Sequence, residues 1–186
     1  MTERKEEIIK IATVLFSGNG YDNTSTRDLA KSAELSIAGL YYFFQSKEEI
    51  LFTILNSALI KFVESVSSAI NTDSNPQTNI KQIINCVVKH VIENNKEIGL
   101  LLRESTRLSP EQLGIIKNRQ KDVFILIRNE ILRLKYEGCV KDFNLSFLTF
   151  SLFGIINYSH YWFDQASELS TEEFVAETTE LFLMVF

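Results

Sequence analysis

Reactive residue types in this 186-residue chain are few, and their spacing speaks against catalysis. His90 and His160 have no carboxylate or cysteine at metal-ligand spacing, so no metal site is expected. Cys86 and Cys139 lie 53 positions apart, outside any CxxC pattern, and neither sits beside an obvious base. With no phosphate-cradling glycine loop and no paired carboxylates, the sequence predicts no catalytic residues and no cofactor. The chemistry it does suggest is recognition. In Ser36-Ile37-Ala38-Gly39-Leu40-Tyr41-Tyr42, small residues allow a backbone to approach a duplex, and hydroxyls can reach phosphates or base edges. Lys47, at the start of the next helix, adds a candidate phosphate clamp. The competing reading of Tyr41, Tyr42, Phe43 and Phe44 is an aromatic core stripe. Four consecutive residues cannot share one helix face, however, and Leu40 with Phe44 already supplies the inward side.

Elements that would position this segment can be read on either side of it. Ile8, Ile11, Ala12 and Leu15 fall at helical spacing, predicting a first helix over about 2–16 that stops at Gly18-Asn19-Gly20. Thr24, Ser25 and Thr26 are N-cap candidates for a short second helix, with Asp28 completing a capping box from Ser25. Ser36 opens a third helix, Ile37 to Phe43, which makes the pair a helix-turn-helix. Ser46 caps a long helix with Ile50, Leu51, Ile54, Leu55, Ala58, Leu59, Phe62 and Val66 at helical intervals. After the polar loop 72–79, helices are expected near 77–94, 97–105, 110–137, 143–165 and 171–186. The expected fold is all-α: a helix-turn-helix domain over 1–47 and a larger helical domain over 48–186, about nine helices together.

Composition agrees with that division. A hydrophobic content of 45% supports a packed core and argues against disorder, while two prolines and seven glycines suit long helices. The net charge of −5 speaks against indiscriminate coating of nucleic acid, which depends on a field of basic residues. Residues 1–47 carry six Lys/Arg and six Asp/Glu, so the acidic excess lies wholly beyond them. The opening run Glu3-Arg4-Lys5-Glu6-Glu7 is no apolar signal segment, and a cytoplasmic protein with reduced thiols is the simplest reading. Phe143 to Phe163 has no charge and the length of a membrane span. Seven polar residues inside it, Asn144, Ser146, Thr149, Ser151, Asn157, Ser159 and His160, favour a helix buried between protein surfaces, so no membrane partner is expected.

The N-terminal run Ile8, Ala12, Leu15-Phe16, Gly20-Tyr21, Thr24 to Thr26, Asp28-Leu29-Ala30, Ser36, Gly39-Leu40-Tyr41, Phe44 and Ser46-Lys47-Glu48 resembles, in order and spacing, the TetR family of transcriptional regulators. The resemblance covers roughly the first quarter of the chain. It implies that Thr26, Arg27, Ser36, Ala38, Gly39, Tyr41, Tyr42 and Lys47 occupy DNA-contacting positions, with Tyr42 and Lys47 mainly on the backbone. Two positions depart from polar readout. Phe43 stands where many relatives have a phosphate-binding histidine, leaving it packing or thymine-methyl contact, and Ile37 offers no hydrogen bond. DNA shape then gains weight in recognition.

The resemblance further implies a homodimer whose last two helices pair with their mates, as in a four-helix bundle. Leu148, Leu152 and Ile155, then Phe174, Thr178, Leu181, Phe182 and Val185, are the expected interface, with recognition helices ~34–36 Å apart. It implies a repressor released from a palindromic operator by a small-molecule effector. Fourteen Phe, six Tyr and Trp162 could line a pocket or be ordinary core. The candidates are Phe62, Leu101, Arg103 and Phe124, together with Asn157, Tyr158, Tyr161 and Trp162. Asn157 to Asp164, followed by Leu169-Ser170 and Glu172 to Phe174, resembles the C-terminal segment of relatives that sense acyl-CoA thioesters. Arg103, Arg107 and Arg128 could then meet a CoA phosphate, although solvated helix faces explain them equally well. The alternative is a ligand-independent DNA-binding or helical scaffold protein with a filled core.

Overall fold

The computed structural model describes residues 2–138, 144–162 and 170–185, excluding the side chains of 156–162 and 185. Among these residues the chain is helical, with no strand. In order come α1 (Glu3–Asn19), α2 (Thr26–Ser32), α3 (Ile37–Phe43), α4 (Lys47–Ser68), α5 (Pro76–Glu93), α6 (Asn95–Glu104), α7 (Pro110–Tyr136), α8 (Leu145–Trp162) and α9 (Thr171–Val185). A single 3-10 turn, Ser105–Arg107, follows α6. The all-α expectation holds, and α3 occupies the predicted residues; α1 runs on to Asn19, where Gly20 at φ 88° ends it.

By contacts the chain divides into two compact units, Met1–Leu59 with Lys96–Lys117, and Ile60–Asn95 with Asn118–Phe186. The first holds α1 to α3, the opening turns of α4, α6 and the start of α7. Its core is built from Ile8, Ala12, Phe16, Leu29, Leu40, Phe44, Ile50, Leu51, Ile54 and Leu55, each 2% exposed or less. Full burial of one such Leu, Ile or Phe side chain is worth about 1.5–3 kcal/mol, so short helices that are marginal alone hold together here. The helix α4 is long and apolar enough to cross a membrane by length and composition. Its Ile50, Leu51, Ile54, Leu55, Leu59 and Val66 are buried, so one face of it packs in the protein.

In the second unit α5 packs on α8 and α9 through Ile80, Ile83, Ile84, Val87, Val88 and Val91. A buried polar network joins the loop before α5 to α7. The Asn79 amide donates to the Glu130 carboxylate (2.9 Å) and the Asn71 carbonyl (2.8 Å). Arg133 donates to Glu130 (3.0 Å) and to the carbonyls of Thr72 (3.3 Å) and Ser74 (3.1 Å). Every strong acceptor in this group thus finds a donor, which is what allows Glu130 to lie 5% exposed. The uncharged run from Phe143 to Phe163 begins and ends outside the described residues. Between its ends α8 buries Leu148, Thr149 and Leu152, and the Thr149 hydroxyl is satisfied by the Leu145 carbonyl at 2.8 Å.

Candidate nucleic-acid interface

Each short helix of the head carries its own start signal. The Ser25 hydroxyl accepts from the Asp28 amide (3.2 Å), while the Asp28 carboxylate accepts from the Ser25 amide (2.9 Å) and hydroxyl (2.6 Å). Those bonds favour the ionised form and hold the exposed Asp28 carboxyl below its ordinary range. Thr24 is not the cap: it is buried and donates to the Gly20 carbonyl at 2.9 Å. The helix α2 ends in a Schellman turn, with Leu35 N–H donating to the Ala30 carbonyl (2.8 Å) and Glu34 N–H to the Lys31 carbonyl (3.1 Å). Glu34 sits there at φ 52°, a left-handed position that favours glycine. Arg4 reaches from α1 to the Ala33 carbonyl at 2.5 Å, pinning the same turn.

Ser36 caps α3, its hydroxyl accepting from the Gly39 amide at 3.0 Å. This contact also explains Gly39 more locally than close approach to a ligand does. A Cβ there would lie 3.3 Å from the Ser36 hydroxyl and 3.6 Å from Leu35, crowding the cap. With Leu40 fully buried and Phe44 close behind, α3 turns Ser36, Ile37, Ala38, Tyr41 and Tyr42 outward. Tyr42 is 85% exposed, and its ring meets Phe43 edge-on at 5.1 Å, which holds the phenol out from the head. Phe43 itself is half-buried. From α2, Arg27 is exposed and Thr26 half-buried.

Lys47 is placed differently from the other candidates. Its ammonium donates to the carbonyls of Tyr21 (2.8 Å) and Thr24 (3.1 Å) and lies 4.2 Å from the Tyr21 ring centroid. It therefore staples the connector between α1 and α2 to the first turn of α4. Two further contacts within the first unit reach the same region: Arg107 pairs with Asp22, and the Ser109 amide donates to Glu48 at 2.9 Å. Nothing local in the sequence foretold them, because the partners are 85 and 61 positions apart.

The expected pocket residues are distributed over both units, and half of their side chains lie outside the described residues. Leu101 and Arg103 belong to the first unit, half-buried and exposed respectively. Phe62 and Phe124 belong to the second: Phe62 stacks on His90 at 4.2 Å, and Phe124 lies 5.1 Å from Phe150 and 6.0 Å from Phe153. Asn157, Tyr158, Tyr161 and Trp162 lie on α8, but their side chains fall outside the described residues, as does that of Val185.

The residues of the expected dimer stripe are divided: Ile155 and Leu181 stand outward, while others face inward. Leu148, Leu152, Thr178 and Phe182 are 0–4% exposed within one protomer, facing its own core, and Phe174 is half-buried. Among the described side chains of α8 and α9, the outward large apolar residues are Phe147, Phe150 and Ile155, with Leu181 and Met184. Phe147 and Phe150 carry no sequence signal, since apolar residues occur on every side of an uncharged helix.

A compact three-helix head that turns a short second helix of its helix-turn-helix outward, joined to a helical body, defines a DNA-binding transcriptional regulator. The comparisons narrow the class. Residues 8–54 match the family described as bacterial regulatory proteins, tetR family, and residues 73–186 match the tetracyclin repressor-like C-terminal domain. The chain belongs to the TetR family of transcriptional regulators. It is similar to the HTH-type transcriptional regulator HbdR of Aromatoleum sp. (strain CIB), 26% identical over 163 residues, covering 86% of this chain and 69% of that protein. The HTH-type transcriptional regulator LuxR of Vibrio harveyi is 25% identical over 179 residues, covering 96% and 85%. Among solved structures, AibR in complex with isovaleryl coenzyme A and operator DNA superimposes with a TM-score of 0.89 at 25% identity, covering 99% of this chain and 100% of that one.

Proposed function

We propose that this regulator is a homodimeric repressor that reads a palindromic operator with α3 of each protomer and is released by a small effector. The observation that carries the DNA-reading part is the outward face of α3, where Ser36, Ile37, Ala38, Tyr41 and Tyr42 stand exposed on a fully capped, rigid helix. With Thr26, Arg27, Gly39, Phe43 and Lys47 they make up the head's contact set, in which Lys47 acts chiefly by holding the connector. The exposed Phe147, Phe150, Ile155, Leu181 and Met184 support pairing of α8 and α9 with a second copy. Such a pair would present two recognition helices about one DNA turn apart, ~34–36 Å.

For the effector, an acyl-CoA thioester is supported by the likeness over the whole chain to AibR, whose structure holds isovaleryl coenzyme A. The resemblance of residues 157–164 to acyl-CoA sensors points the same way. Ligand and DNA must then favour different conformers, with a coupling of order 1–3 kcal/mol. The test combines selection of bound duplexes from a random-sequence library with titration of isovaleryl-CoA, acetyl-CoA and free CoA into the selected complex. Tyr42→Ala is expected to weaken the complex at unchanged fold, and a thioester to dissociate it. Binding indifferent to Tyr42 removes the head assignment; binding indifferent to every thioester leaves a constitutive repressor.

A further inference from the structure

The inventory of α3 limits what it can read. Guanine is recognised in the major groove by the forked donors of Arg or by Lys, and adenine by the paired donor and acceptor of Asn or Gln. The sequence of α3, Ile-Ala-Gly-Leu-Tyr-Tyr-Phe, contains none of the four. Its cap hydroxyl, Ser36, already accepts from Gly39, leaving one proton to donate. What the first turn presents instead is apolar: Ile37, 41% exposed, beside the exposed Ala38. In the major groove the one apolar group a base pair displays is the thymine 5-methyl. Against a G·C pair the same isoleucine would cover N7 and O6 acceptors and leave them unpaired, which is unfavourable. Attraction to one base and rejection of the other therefore act together.

We propose that Ile37, with Ala38 beside it, reads thymine 5-methyl groups, so that each operator half-site carries thymine opposite the first turn of α3. The inference rests on the reading of α3 as the recognition helix. It predicts a selectivity for a methyl group that hydrogen-bond readout would not produce.

The experiment uses the full chain. A duplex selected from a random-sequence library is rebuilt with deoxyuridine at one thymine per half-site at a time, which removes the methyl and nothing else. At one position the affinity is expected to fall about fourfold for each half-site, the worth of one buried methyl. Ile37→Ala should weaken the thymine duplex similarly and erase the difference between thymine and uracil, while Ile37→Val retains part of it. A cytosine at that position should gain affinity on 5-methylation. Because Ile37 is exposed, each variant is expected to keep the parent's circular dichroism and melting temperature. Uracil tolerated at every position, or full methyl sensitivity persisting in Ile37→Ala, overturns the proposal while leaving the head's role intact. A library from which the parent protein enriches nothing overturns the recognition-helix reading, and this inference with it.

Discussion

Single residues in the head divide into those that face outward and those that hold its shape, and Lys47 belongs to the second group. Its ammonium closes two carbonyls of the α1–α2 connector and covers the Tyr21 ring. Lys47→Met keeps the stem and deletes two charge-assisted hydrogen bonds. It is expected to destabilise the head by about 1.5–3 kcal/mol, read as a lower thermal midpoint without DNA present. An unchanged midpoint would return Lys47 to a purely external role. Glu34 offers the opposite sign. At φ 52° it bears the left-handed cost that glycine escapes, so Glu34→Gly should stabilise by about 0.5–1 kcal/mol in denaturant unfolding. Ser25, Ser36 and Gly20 were legible from sequence because capping and stopping are local chemistry. Lys47 was not, since its partners are backbone carbonyls whose position only the folded connector determines.

At the scale of elements, helix existence followed from periodicity, but helix orientation did so only where one face was polar. In α5, lysines and asparagine alternate with Ile83, Ile84, Val87 and Val88, and the buried side is plain. In α8 neither side carries a charge and apolar residues lie all round; packing alone decides that Leu148 and Leu152 turn inward and Phe147 and Phe150 outward. The Asn79–Glu130–Arg133 network was equally hidden, because Asn79 and Glu130 are 51 positions apart. One element contact also sets a pH response. His90 on α5 stacks against Phe62 of α4 at 12°, with the Asn94 amide 3.2 Å from its Nδ1, and burial pushes its imidazole down to about 4. Above about pH 6.5 the ring is neutral whether folded or unfolded and adds no slope. As pH falls toward about 4, the unfolded chain takes up a proton that the folded ring refuses, and stability drops. Thermal melts across that interval should show the loss, and His90→Phe should flatten it; a parent midpoint that stays level would contradict the buried neutral ring.

For the whole molecule, the exposed aromatics of α8 are the place to test assembly without touching the protomer's core. Phe150 is 63% exposed, so Phe150→Glu should leave the monomer folded yet oppose a like charge across a two-fold axis. Native mass spectrometry is expected to report a shift from dimer to monomer, with weakened operator binding because two heads no longer act as one. A variant that remains fully dimeric would place the interface elsewhere. The head itself brings little free charge to that encounter. Arg4 is held by Glu7 and the Ala33 carbonyl, Lys5 lies 5.1 Å from the Phe44 ring centroid, and Lys47 is stapled inward. Lys10, Arg27 and Lys31 are the exposed cations among the described residues of 1–47. Each neutralised phosphate contributes a slope of about −0.9 to the logarithmic dependence on salt, so two heads with three such groups apiece set a ceiling of about −5 on that slope. Osmotic upshift, which concentrates potassium around DNA, should therefore loosen a two-headed regulator along that slope, and what hold remains is set by the fit of its apolar and hydroxyl contacts rather than by charge.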